Sequence, residues 1–171
     1  MRWYWIDRFI EFESGKRAKA VKAVSLAEDH LHDHWTDFPV MPNCLVVEGM
    51  AQTGGLLVCE YNDFEEKVVL AKVGNAKFYG DALPGDVLTY TTEVEYIKKD
   101  GAMVTGKAHR GDELFAEMEL VFAHLSEGHE GRTLFEPETF LKMMRMLGAF
   151  EIGHAADGSR LVEPASLLPK A

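Results

Sequence analysis

The chain has 171 residues and a formal net charge of −10, with 18 Lys and Arg against 28 Asp and Glu. Apolar residues make up 47% and charged residues 27%, which is enough apolar material for one domain with a sizeable core. So acidic a chain argues against nucleic acid or an anionic membrane surface as a partner, because both need clustered Lys and Arg.

The N-terminal MRWYWIDRF has no uninterrupted apolar stretch, so a secretory signal is not expected. Residues 8–13, a turn at Ser14-Gly15 and residues 17–24 predict a β-hairpin. In its second arm Lys19 and Lys22 alternate with Ala18, Ala20 and Val21, and the lysines are expected on an exposed face. Residues 25–34 are polar and read as a loop with a short helical turn. Pro42 stands where a first helical residue is favoured, and a helix is predicted from about Asn43 to Glu60 or Tyr61. Its Gly49, Gly54 and Gly55 each weaken it by about 1 kcal/mol relative to Ala, a cost that close approach by a surrounding sheet would offset.

Strand patterns follow at 67–72 and 76–79, separated by Gly74-Asn75, then at 86–96, 102–109 and 114–125, with turns at 98–101 and Gly111-Asp112. A hairpin, a long helix and a meander of three or more strands predict an α+β fold, one antiparallel sheet packed on one long helix. Residues 127–133 read as a polar linker. Residues 137–149 read as a helix whose Phe140, Leu141, Met143, Met144, Met146 and Leu147 surround it, and 153–171 as loose. The expected organisation is a main domain over 1–126, followed by linker, C-terminal helix and tail over 127–171.

Residues 38–59, FPVMPNCLVVEGMAQTGGLLVC, contain a single charge, Glu48. The run is about as long as a bilayer span, but Pro39, Pro42, Glu48, Gln52 and the glycines mark it as a buried core helix. An ionised Glu48 there would lose hydration with no cation nearby, which favours the protonated acid, and such an acid can donate a proton in catalysis. His34 stands fourteen residues earlier, in His30-Leu31-His32-Asp33-His34, and the two make a candidate acid–base pair. Three alternate histidines on a strand would share one face, as some zinc ligands do. These surroundings are not strand-like and offer no fourth ligand, so no metal is expected. Gln52, one helical turn past Glu48, is expected to orient that carboxyl. Cys44 and Cys59 have no adjacent base and read as small buried hydrophobes of a cytosolic protein.

The block from His34-Trp35 through Pro39, Pro42-Asn43-Cys44 and Glu48 to Ala51-Gln52 resembles the 3-hydroxyacyl-[acyl carrier protein] dehydratases of fatty-acid synthesis. Their pattern is a histidine, an aromatic, a PxxPG-like turn, an acidic residue fourteen places after the histidine, and then Ala-Gln. Asp7-Arg8, Gly15-Lys16-Arg17, Ala76-Lys77-Phe78, Leu83-Pro84-Gly85-Asp86 and Gly111 with residues 113–119 extend the likeness over about residues 7–125. The resemblance implies the hotdog fold, an antiparallel sheet wrapped around one long central helix, here with a C-terminal helix added. It also implies a cytoplasmic homodimer whose sheets join, with trimers of dimers as a further form. Each active site would combine His34 of one subunit with Glu48 of the other, beside a tunnel for the acyl chain. Glu at the acidic position implies the dehydratase-only branch.

The implied reaction turns a 3-hydroxyacyl thioester, on acyl carrier protein or CoA, into the trans-2-enoyl thioester without metal or organic cofactor. Histidine suits the base, since its unperturbed pKa lies near about 6.5. Glu48 would assist loss of the hydroxyl. The N–H groups of Asn43 and Cys44, at the positive end of the helix, would meet the thioester oxygen. Trp35, Gln52 and Phe78 complete the implied substrate site.

Three departures stand out. Asn43 replaces a glycine. Tyr79, Gly80 and Asp81 stand where the family carries basic residues for an acidic carrier, leaving Lys77 or Arg110 as local cations. The family's N-terminal helix is missing, while the helix at 137–149 is added, either to cover a dimer or to cap the tunnel. Two alternatives stay open. One is a hotdog acyl thioesterase using a carboxylate to activate water. The other is a non-catalytic acyl-binding or scaffold protein, which Asn43 and the acidic surface would suit.

Overall fold

A computed structural model describes residues 3–35, 37–125 and 137–168; the polar linker expected at 127–133 lies outside the described residues. The hairpin forms where its pattern places it. Strands β1 (Arg8–Glu13) and β2 (Arg17–Ala23) pair antiparallel, and the turn between them holds Gly15 at φ +67, a conformation that costs glycine nothing. The period of two puts Ala18, Ala20 and Lys22 on one face. The two alanines are fully buried, so Lys22 points inward and not, as expected, to solvent. Its ammonium is compensated there: Nζ donates to Glu28 Oε1 at 2.7 Å and to the Ala23 carbonyl at 2.5 Å.

A single turn, α1 (His30–Asp33), precedes the central helix α2 (Asn43–Tyr61). Pro42 occupies the capping position one residue outside it. Strands β3 (Lys67–Phe78), β4 (Val87–Lys98), β5 (Gly101–Arg110) and β6 (Glu113–Leu125) complete an antiparallel sheet in the order β1-β2-β4-β5-β6-β3. Only β4 to β6 form a meander; β3 crosses to the far edge and pairs with β6. The two strand patterns at 67–72 and 76–79 are one strand. Asn75 takes φ +46, and the register with β6 shifts between Gly74 and Lys77. Asn tolerates the left-handed region, so Gly74-Asn75 marks an irregularity that bends the strand without ending it.

Helix α2 contacts β2, β3, β4, β5 and β6, so the sheet wraps around it. The core lies between them, built from Val46, Met50, Leu57, Leu88, Tyr90, Val104 and Leu120. Its glycines are where the approach is closest. A Cβ on Gly49 would stand 2.7 Å from Tyr90 Cε2 and 2.8 Å from the Trp5 carbonyl oxygen, and one on Gly54 would stand 3.1 Å from Val104 Cγ1. Among the described residues no helix is long and apolar enough to cross a membrane.

The C-terminal segment departs from expectation twice. Helix α3 (Pro137–Met146) has one apolar face after all: Leu141 and Met144 are buried, while Lys142, Arg145 and Met146 are exposed. The helix also stops short, because Gly148 at φ +75 turns the chain into the separate helix α4 (Ala149–Ile152). Residues 153–168 are tied down, where a loose tail was expected. The Phe9 N–H donates to the Leu147 carbonyl at 2.8 Å, His154 N–H to Phe12 O at 2.9 Å, and Ser14 N–H to His154 O at 2.9 Å. Leu161 is buried, and Arg145 pairs with Glu163. This covers the outer edge of β1 and satisfies backbone groups that an edge strand otherwise leaves open. The opposite edge, along β3, has no strand partner among the described residues.

Candidate active site

On α2 the residues Glu48, Ala51, Gln52, Gly55, Leu56 and Cys59 fall at helical spacing on a single stripe. That stripe borders a cavity of about 420 Å³. Trp3, the start of β3 at Val68, Val69 and Leu70, Phe122 of β6, and Phe140 and Met143 of α3 close it. Glu48 is half-buried there, not sealed from water as its apolar neighbourhood in sequence suggested. Gln52 holds it: Nε2 donates to Glu48 Oε1 at 2.9 Å and to the Trp3 carbonyl at 2.8 Å, while Oε1 accepts the Trp5 N–H at 2.8 Å. A carboxyl held by a glutamine amide at the border of an apolar cavity is equipped to exchange a proton with a bound ligand.

The other expected residues lie elsewhere in the single chain. His34 follows α1 with its ring exposed, edge-on to Trp35 at 6.1 Å, and it does not border the Glu48 cavity. Trp35 is exposed too. Asn43 and Cys44 form the exposed first residues of α2, where helix N–H groups have no intrahelical acceptor. The loop before them is anchored by the Met41 N–H on Ala82 O at 2.9 Å. Phe78 ends β3, half-buried against the core and outside the cavity. Of the expected set, Glu48 and Gln52 are the residues that border the cavity.

The three histidines diverge. His30 packs edge-on to Trp5 at 5.0 Å, and burial holds its pKa below the ordinary value. His32 Nε2 lies 2.6 Å from the Leu26 carbonyl. Among the described residues no group of three His, Cys, Asp or Glu is placed to hold a metal ion. Both cysteines are free, but only Cys59 is the buried hydrophobe expected, and burial pushes its thiol up to about 12. Cys44 is exposed on the outward side of the first turn of α2, whose Leu45 and Val46 are buried.

Sequence reasoning passed over Glu60, a buried carboxyl on α2. Burial pushes its pKa up to about 7, against a hydrogen bond from Ser14 that lowers it. Its Oε2 has no hydrogen-bond partner among the described residues. The signal was its spacing: Gly49, Thr53, Leu56 and Glu60 continue one buried stripe at i, i+4, i+7 and i+11. The local cations expected to greet an acidic carrier are matched within the chain. Lys77 Nζ is 3.1 Å from Glu117, and Arg110 is 2.9 Å from Glu113 and 3.4 Å from Asp86.

A six-stranded antiparallel sheet in this order, wrapped around one long helix, is the hotdog fold. Solved structures share it at low identity. The dehydratase heterocomplex ApeI:P from Xenorhabdus doucetiae aligns with TM-score 0.60 at 14% identity, over 72% of this chain and 84% of that one. A Streptococcus mutans protein bound to acetyl CoA aligns with TM-score 0.60 at 12% identity, over 75% and 96%. The family model of the FabA-like domain matches residues 3–122. The 3-hydroxyacyl-[acyl-carrier-protein] dehydratase FabZ of Natranaerobius thermophilus is 40% identical over 119 residues, 69% of this chain and 84% of the relative. That of Pelotomaculum thermopropionicum is 35% identical over 119 residues, 69% and 85%. The chain belongs to the FabA-like family.

Proposed function

We infer that this protein is a hydro-lyase that removes water from 3-hydroxyacyl thioesters to give trans-2-enoyl thioesters in fatty-acid synthesis. The observation that carries the reading is Glu48, aligned by Gln52 beside an apolar cavity, in a chain of this family. His34 takes the α-proton of the thioester; the freed electron pair is held as an enolate on the thioester oxygen and then forms the C2–C3 double bond as the C–O bond to the 3-hydroxyl breaks. Glu48 delivers the proton that turns the departing hydroxide into water. The exposed N–H groups of Asn43 and Cys44 stabilise the negative charge on the thioester oxygen. The reaction is redox-neutral and needs no cofactor.

His34 lies outside the Glu48 cavity of its own chain, and among the described residues β3 has no strand partner on its outer edge. Both support a homodimer joined at β3, with His34 of one subunit serving Glu48 of the other; trimers of such dimers are a further form. The acyl group arrives on acyl carrier protein or CoA. Free Cys44 and Cys59 fit a reducing cytoplasm.

Subunit mixing tests this. His34→Ala and Glu48→Gln should each lower turnover at least about 100-fold. When the two inactive variants are unfolded together and refolded as an equal mixture, activity should return to about a quarter of wild type. Half the dimers are then mixed, each with one intact site and one doubly altered. No recovery in verified mixed dimers refutes the shared site. Near-normal turnover in either single variant removes that residue from the mechanism.

A further inference from the structure

We propose that α3 forms the floor of the acyl cavity and sets the longest chain the enzyme accepts, an inference that rests on the dehydratase reading above. The family match ends at residue 122, and α3 begins at Pro137, so this wall comes from a part of the chain the match does not reach.

The cavity follows the α2 stripe from Glu48 to Cys59, roughly 16 Å at 1.5 Å per residue. Glu48 marks one end. The other end lies by Phe140, whose ring stacks on Phe64 at 6.4 Å with the planes 11° apart, while the Phe64 N–H bonds the Cys59 carbonyl at 2.9 Å. A thioester reacting at Glu48 therefore directs its tail along Ala51, Gly55, Leu56 and Cys59, an apolar track suited to an alkyl chain, toward Phe140 and Met143. A zig-zag of single bonds of about 1.5 Å covers that distance in roughly a dozen carbons. A longer chain has to push Phe140 off Phe64 and lift α3, whose Leu141 and Met144 are buried in the core. Shorter chains leave part of the track empty and forgo roughly fourfold in binding for each missing methylene.

The test measures kcat/KM on a ladder of saturated 3-hydroxyacyl thioesters of increasing even length, on CoA and on acyl carrier protein. For wild type we expect a rise of up to roughly fourfold per methylene, then a fall beyond about a dozen carbons. Phe140→Ala and Met143→Ala should each move the fall outward by about two carbons or more, because each removes volume at the floor. Thr139→Leu, at a half-buried position on the same wall, should move it inward without removing core packing. It keeps the test decisive if the alanine variants do not fold by circular dichroism. A wild-type ladder whose cut-off stays put in the folded variants overturns the proposal. If wild type dehydrates no member of the ladder on either carrier, the dehydratase reading itself fails.

Discussion

Gln52 couples Glu48 to the N-terminal segment that precedes β1. One amide nitrogen reaches the Glu48 carboxyl at 2.9 Å and the Trp3 carbonyl at 2.8 Å, while the amide oxygen takes the Trp5 N–H at 2.8 Å. Gln52→Leu keeps the volume and removes all three bonds, leaving the carboxyl free to rotate. Turnover should fall by about 10- to 100-fold with a much smaller change in KM, the signature of lost orientation in place of lost binding. Steady-state kinetics on the folded variant decides. A raised KM at unchanged kcat would assign Gln52 to substrate contact alone.

Glu60 gives the fold a pH dependence of its own. Its folded pKa is raised from 4.5 to about 7 by burial, so between those values the folded state holds a proton that the unfolded chain releases. Stability is therefore full below the unfolded value and is lost as pH rises through about 7, by on the order of 3 kcal/mol at about 1.4 kcal/mol per unit. Glu60→Gln removes that titration. Melting temperatures at about pH 5 and about pH 8 should diverge more for wild type than for the variant, with the variant ahead at the higher pH. Parallel profiles would show that Glu60 stays charged in the folded protein.

Leu161 tests whether the C-terminal segment is part of the core. It is 4% exposed, and its N–H bonds the Gly153 carbonyl at 2.9 Å. Leu161→Ala should cost about 2 to 4 kcal/mol by urea denaturation, as a buried leucine does. A residue on a loose tail would change stability by less than about 0.5 kcal/mol.

Features with local signals were legible in the sequence. The hairpin, α2 and the strands from β4 to β6 each carry their own periodicity and turn residues, and Glu48 with Gln52 is a contact one helical turn long. Features that depend on pairing across the chain were not. The position of β3 beside β6 leaves no trace at Gly74-Asn75, which reads as a break because Asn75 adopts a left-handed backbone. Lys22 and Glu60 are charged residues on buried faces, where residue type and periodicity point in opposite directions; periodicity was the better guide. The tail docks on β1 through backbone bonds at Leu147 and His154, which no side-chain pattern records. The cavity draws its walls from residues as far apart as Trp3 and Met143. The partner proposed for Glu48 stands in a second copy, which one chain's pattern does not specify.

The C-terminal segment seals the rim of the sheet at β1, and among the described residues the rim at β3 has no strand beside it. Growth by strand addition can then happen on one side only. Two copies meeting there consume every available rim, so the association stops at a finite particle and cannot run on into a fibre.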